Sequence, residues 1–163
     1  CVTRRQRQMC IRDSHIIGRK GYEIIIDQNV EKAKAFARMI DAHPDFELIT
    51  DPELNILNYR YVPAKVQTRL ASASPDEQMV MNEVLDRANK RMQKQQRAAG
   101  KTFVSRTRFS QHRYGGQPVS VFRVVMANPM TTLETLRTIL NEQCDLALRD
   151  GTRAILAELD NLP

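Results

Sequence analysis

A chain of 163 residues, 42% hydrophobic and 27% charged, is one globular domain of ordinary size rather than a disordered segment. No apolar run approaches the ~18 residues of a membrane-spanning helix, and the absence of Trp with only 6% aromatics argues against a stacking platform for single-stranded nucleic acid. The net charge of +6 does not gather on one patch: Arg4, Arg5, Arg7 and Arg12 against Asp13 leave +3 in the first fourteen residues, and the remaining +3 is spread among acidic neighbours as on any solvated surface.

Residues 1–14, "CVTRRQRQMCIRDS", have no apolar stretch that would make them a secretory signal, and they show neither helical nor strand periodicity. They read either as a basic arm for nucleic acid or as translated adapter sequence of the kind found at the ends of metagenomic gene fragments. The second reading is preferred, so residues 1–14 are expected to be a non-native or disordered arm and the authentic chain to begin near His15, cut from something longer. Cys1 and Cys10 fall in the arm and Cys144 stands alone beyond it, which implies no disulfide framework and a reducing, cytoplasmic setting.

From Gly21 to Ala42 the spacing predicts a helix, with Tyr22, Ile26, Val30, Ala33, Ala37 and Ile40 in one apolar stripe. Pro44 in "HPDF" stops it. Two strands follow, "FELIT" (46–50) and "LNILNYRYV" (54–62), and Asp51-Pro52-Glu53 between them predicts a close antiparallel pair that Pro63 ends. Ser74, Pro75 and Glu77 form a capping box with proline at the first helical position, and Met81, Val84, Leu85, Ala88 and Met92 supply that helix's buried side. Its basic end, "KRMQKQQRAAG", suits the helix dipole and a left-handed cap at Gly100 better than a nucleic-acid patch.

"TFVSRTRF" (102–109) and "VSVFRVVM" (119–126) are the third and fourth strands, joined by a loop in which Gly115-Gly116 permits positive φ. Thr131 and Glu134 predict another capping box, followed by a helix lined by Leu133, Leu136, Leu140 and Cys144. Gly151 is expected to end or kink that helix before a short terminal one from Ala154 to Leu159. The order of helix, two strands, helix, two strands, helix predicts an α+β layer, an antiparallel sheet with helices on one face.

Catalytic parts are scarce. His15, His43 and His112 lie far apart without metal-ligand spacing, one body cysteine cannot build a zinc site, and neither a GxxxxGK[ST] nor a GxGxxG phosphate loop occurs. The anomaly is Arg123. Strand alternation places its guanidinium on the same face as Val119, Val121 and Val125. A structural ion pair, or an edge strand whose long side chain snorkels to water, would account for it.

"IIGRKGYEIIIDQNVEKAKAFARMI" (16–40), "FELITDPELNILNYRYVP" (46–63) and "VFRVVMANPMTTLETLRTILNEQ" (121–143) together resemble the C-terminal part of the group II pyridoxal-phosphate-dependent amino-acid decarboxylases. This is the family of glutamate, cysteine-sulfinate and aromatic amino-acid decarboxylases, and the likeness leans to its bacterial aspartate branch. It covers nearly everything from His15 to about Gln143, and leaves out residues 1–14 and the tail after Ala147.

The resemblance implies that residues 15–163 are the small C-terminal domain, with its linking helix, of an aspartate-aminotransferase-like fold type I enzyme. In the family, pyridoxal 5'-phosphate is bound by a large domain through a lysine that directly follows a histidine. No His-Lys dipeptide occurs here, so the large domain is expected to lie elsewhere, this chain alone to be inactive, and no catalytic, cofactor-binding or metal-ligating residue is assigned to it. The implied activity is decarboxylation of an acidic amino acid, aspartate to β-alanine before glutamate or cysteine sulfinate, by a homodimer. Arg123 matches the family's arginine that pairs with the substrate α-carboxylate. From another class, a small basic nucleic-acid-binding module is the competing reading; the decarboxylase reading carries no nucleic-acid or membrane partner.

Overall fold

The computed structural model describes the backbone of residues 2–110 and 112–162, with side chains from Ile11 onward; Cys1 and the side chains of Arg4, Arg5, Arg7 and Cys10, read above as part of an arm, lie outside the described residues. The first helix, α1 (Val2–Asp41), begins well ahead of the expected Gly21 and is broken at Gly18, whose φ of 64° and ψ of 173° turn the chain out of helical geometry. Glycine enters that region without a Cβ clash. The expected apolar stripe is buried only in its second half, where Ala33, Ala37 and Ile40 are covered, joined by Phe36, while Tyr22 and Ile26 are exposed. The reason is length. From Gly18 to Asp41 the helix runs about 35 Å, against roughly 27 Å for an eight-residue strand.

The strands β1 (Phe46–Thr50) and β2 (Ile56–Tyr61) pair antiparallel, as the turn chemistry between them predicts. The register slips between Leu48 and Thr50, which sets Thr50 opposite Asn58. Helix α2 (Ala64–Ser72) is not predicted by the sequence pattern, in which Pro63 marks only a strand end. Pro63 also starts α2: its carbonyl accepts from the amides of Val66 and Gln67. The Gln67 amide then donates to the carbonyls of Pro44, Phe46 and Val62, fastening α2 to β1 and β2.

Helix α3 (Pro75–Ala99) begins on the predicted Ser74–Glu77 capping box and ends at Gly100 with φ 68°. Strand β3 (Ser105–Ser110) starts three residues later than expected, because Thr102 is engaged by Gln96 and Glu142 instead of a neighbouring strand. Gly115 and Gly116, at φ 59° and 83°, turn the chain back into β4 (Pro118–Val125). The helix α4 (Leu133–Leu148) is capped by Thr132, whose hydroxyl accepts from the Thr135 amide at 3.2 Å, so the Thr131–Glu134 box does not form. Its break falls at extended Arg149, not at Gly151; the Arg149 carbonyl accepts from Thr152 and Arg153 and starts α5 (Asp150–Ala157), with Gly151 inside its first turn beneath the Arg91 guanidinium. A short 3₁₀ turn, Glu158–Asn161, follows α5.

The sheet order is β1-β2-β4-β3, antiparallel throughout, and the domain is α+β, but helices pack on both faces of the sheet and not on the one expected. Leu57, Tyr59 and Phe122 point to the face covered by α1 and α4, where Phe36 meets Tyr59 edge-on with centroids 5.6 Å apart. The Tyr59 hydroxyl donates to Gln143 of α4 at 3.0 Å, and burial raises its pKa. Val119 and Val121, on the opposite face of β4, join a second cluster with Val66 and Leu70 of α2, Met81 and Leu85 of α3, and Tyr114.

Helix α3 reaches both clusters because the sheet opens to admit it. The last paired residues of β2 and β4 are Tyr59 and Phe122. Continued register would bring Tyr61 and Ser120 together, but α3 supplies the partners instead. Asn89 exchanges hydrogen bonds with the Tyr61 amide and carbonyl at 2.9 and 3.0 Å, and Asp86 accepts from the Ser120 amide at 2.6 Å. Buried backbone groups that lose their ladder must be satisfied somewhere.

On the same face as Val121 lies Arg60, fully buried. Its Nε donates to Glu47 at 2.7 Å and Nη1 to Asn82 at 2.8 Å, and the guanidinium carbon sits 4.8 Å from the Tyr114 ring centroid. Glu47 accepts in addition from Arg113 and from the Tyr114 hydroxyl, at 2.7 and 2.6 Å. Burial lifts the pKa of Tyr114, which keeps it a donor. Elsewhere, Cys144 packs its sulfur 3.7 Å from Nε2 of His43. Burial first, then the nearby charges of Asp45 and Asp145, pushes its thiol up to about 11. Among the described residues, no helix is long and apolar enough to cross a membrane.

Glu47→Ala should be among the most damaging single substitutions, because it strands a buried guanidinium: a loss of about 3–5 kcal/mol in urea unfolding, largely recovered when Arg60→Met is combined with Glu47→Leu. With Cys1 and Cys10 replaced by serine, Cys144 should react with iodoacetamide at pH 8 orders of magnitude more slowly than a free thiol. Only about one thiol in a thousand would be ionised, and an alkylation rate equal to that of free cysteine would refute the shift.

Candidate functional site

Arg123 lies near the C-terminal end of β4, a central strand, and its backbone is held from both sides. Asn58 of β2 is its partner on one flank and Ser105 of β3 on the other. The Ser105 hydroxyl donates to the Arg123 carbonyl at 2.7 Å. The side chain, in contrast, is exposed, and among the described residues it makes no hydrogen bond or ion pair. The apolar face that makes Arg123 look anomalous is covered only as far as Val121; Val125 on β4 is 46% exposed, as is Ile56 on β2. Arg123 therefore stands where the covered part of the face gives way to an open one. The buried strand arginine is Arg60, a residue not singled out by the sequence pattern although its neighbours Leu57, Tyr59 and Tyr61 alternate with it. The same period-two argument applied to β2 would have found it.

Asn58 forms the floor beside Arg123. It is 9% exposed. Its backbone amide and its Nδ2 both donate to the Thr50 hydroxyl, at 3.1 and 3.0 Å, an arrangement made by the register slip in β1. Its Oδ1 is buried without a hydrogen-bond partner.

The other residues weighed for chemistry do not join this patch into a catalytic set. His15 and His112 are exposed, while His43 sits in the turn after α1, where Nδ1 accepts from the Asp45 amide and the ring packs on Phe46. No group of three or more His, Cys, Asp or Glu suited to a metal occurs among the described residues. The lysines do not fit attachment of pyridoxal phosphate. Lys20, Lys65 and Lys101 are exposed, and Lys32, the one described lysine that is partly covered, donates to the Pro129 carbonyl. None has the desolvated setting in which a lysine amine becomes a nucleophile.

No family model matches the chain. A curated relative, the aspartate 1-decarboxylase of Aliivibrio fischeri (strain ATCC 700601 / ES114), is 50% identical over 133 residues, which are 82% of this chain and 24% of the relative. The chain thus spans about a quarter of that relative's length. Among solved structures, mouse CSAD in its apo form superposes with a TM-score of 0.66 at 20% identity, over 82% of this chain and 26% of that one. The glutamate decarboxylase domain of diaminobutyrate-pyruvate transaminase and L-2,4-diaminobutyrate decarboxylase from Vibrio parahaemolyticus gives 0.62 at 18% identity, over 83% and 24%. Catharanthus roseus tryptophan decarboxylase in complex with L-tryptophan gives 0.58 at 17% identity, over 88% and 24%. At these identities the structures establish the fold, and the sequence match supplies the kinship: the chain belongs, as a C-terminal region, to the group II pyridoxal-phosphate-dependent decarboxylases.

Proposed function

We propose that this chain forms a substrate-side wall of the active site in a decarboxylase of an acidic amino acid, aspartate being converted to β-alanine, and that Arg123 binds the substrate α-carboxylate. The observation that carries the reading is the contrast within one residue: the Arg123 backbone is fixed in mid-sheet, while its guanidinium is exposed and unpaired among the described residues. A planar guanidinium offers a carboxylate two parallel hydrogen bonds and remains charged at any working pH. Ile56 and Val125 border it with apolar surface, and covering that surface would exclude water and strengthen the pair. The 50% identity to an aspartate 1-decarboxylase supports aspartate over glutamate and cysteine sulfinate.

Bond cleavage itself is the cofactor's chemistry, and this chain's share is to hold and orient the substrate. The family's homodimeric assembly also accords with α1, which exposes Ile16, Ile17, Ile24 and Ile26. Apolar side chains in such number on one helix mark a surface that a further domain or subunit covers.

Two measurements test this reading. Mixing the chain with pyridoxal phosphate and reducing with borohydride should leave every lysine at or below background labelling, and stoichiometric modification of a single lysine would overturn the expectation. In the full-length enzyme carrying this chain, Arg123→Lys should lower kcat/KM for aspartate by about ten- to a hundredfold or more. Arg123→Ala should lower it further, with cofactor content near normal. Wild-type kcat/KM in Arg123→Ala would remove the carboxylate role.

A further inference from the structure

Arginine presents five N–H groups, and a carboxylate bound through one edge of the fork takes only two of them. The rest need acceptors if the fork is to keep one orientation, and the residues flanking Arg123 across the strands are the nearest candidates. Ser105 holds its hydroxyl on the backbone, donating to the Arg123 carbonyl, with only its lone pairs left to accept. Asn58 offers an amide carbonyl, the stronger acceptor. Its amide nitrogen and backbone amide are anchored on Thr50, while Oδ1 is buried and has no hydrogen-bond partner. Directly opposed residues on one sheet face have Cβ atoms about 4.5–5.5 Å apart, a gap that an arginine side chain spans.

A buried carbonyl oxygen left without a donor is costly and calls for an explanation. We propose that Asn58 is a positioning residue for Arg123: Oδ1 accepts a guanidinium N–H on the edge turned away from the substrate and fixes the fork for the carboxylate. The two residues are opposed in the β2–β4 register, so they share a face of the sheet. The slip between Leu48 and Thr50 is what frees the oxygen, because it brings the Thr50 hydroxyl within reach of the Asn58 nitrogens. The inference rests on the carboxylate-binding reading of Arg123 and adds the residue that orients it.

A double-mutant cycle in the full-length holoenzyme tests it, with Asn58→Leu and Arg123→Lys made singly and together. Asn58→Leu should lower kcat/KM for aspartate by about tenfold, the worth of one hydrogen bond to a charged group, with the pyridoxal phosphate absorbance unchanged. In the Arg123→Lys background, where the planar fork is gone, the same substitution should cost less than about twofold. Full multiplication of the two losses, or wild-type kcat/KM in Asn58→Leu, would overturn the proposal while leaving the Arg123 role standing. Wild-type activity in Arg123→Ala would remove both. Should Asn58→Leu fail to fold, Asn58→Ser takes its place in the cycle, because it lacks the reach to Arg123 and fits within the volume of Asn.

Discussion

A buried guanidinium demands acceptors, and Arg60 imposes that demand on this domain: Nε and Nη1 find them, while Nη2 is buried without a partner. Its partners come from every side: Glu47 from β1, Asn82 from α3, and the Tyr114 ring from the turn before β4. Glu47 then draws Arg113 and Tyr114 onto its second oxygen. One ion pair therefore fixes where the first hairpin, the start of α3 and the loop before β4 meet. The net contribution of such a pair to stability is small once desolvation is counted. Its effect is on specificity of arrangement, since packing that leaves either charge unpaired is strongly disfavoured.

The same region explains why the sheet opens. With α3 drawn to Arg60 through Asn82, the next turns of the helix bring Asp86 and Asn89 to the edges of β4 and β2. These two side chains take over hydrogen bonds that Tyr61 and Ser120 would have made to each other. The second cluster thus covers the sheet at Val119 and Val121 and leaves Arg123, Ile56 and Val125 exposed around the buried Asn58. An open face in the middle of a four-stranded sheet is unusual for a domain that stands alone. It is intelligible in a chain that spans about a quarter of the length of its relative.

Arg123 and Arg60 illustrate two uses of one side chain. Both sit on the same face of adjacent strands, a few residues apart along the register. Arg60 meets a carboxylate of its own chain and is structural. Arg123 meets none among the described residues, and Asn58 beside it retains a free acceptor. Acceptor supply, rather than residue type or strand position, separates the two.

What the sequence determined by itself was local or carried by kinship. The Ser74 capping box, the left-handed Gly100, the hairpin around Asp51-Pro52-Glu53 and the Gly115-Gly116 turn follow from short-range chemistry, and each forms as expected. The resemblance in three segments fixed the family. Helix α2 was illegible because its start depends on what Pro63 and Gln67 bond to, and those partners lie on β1 and β2. The caps at Thr132 and Arg149 differ from expectation for a related reason: several neighbouring residues could serve, and packing of α4 and α5 chooses among them. Most of all, tertiary structure alone decided which strand arginine is dry. Alternation assigns a residue to a face, but what covers that face depends on α3 and the loop at Tyr114, which pair across long stretches of chain. Burial of a charge is a property of the whole packing arrangement, and no window of sequence contains it.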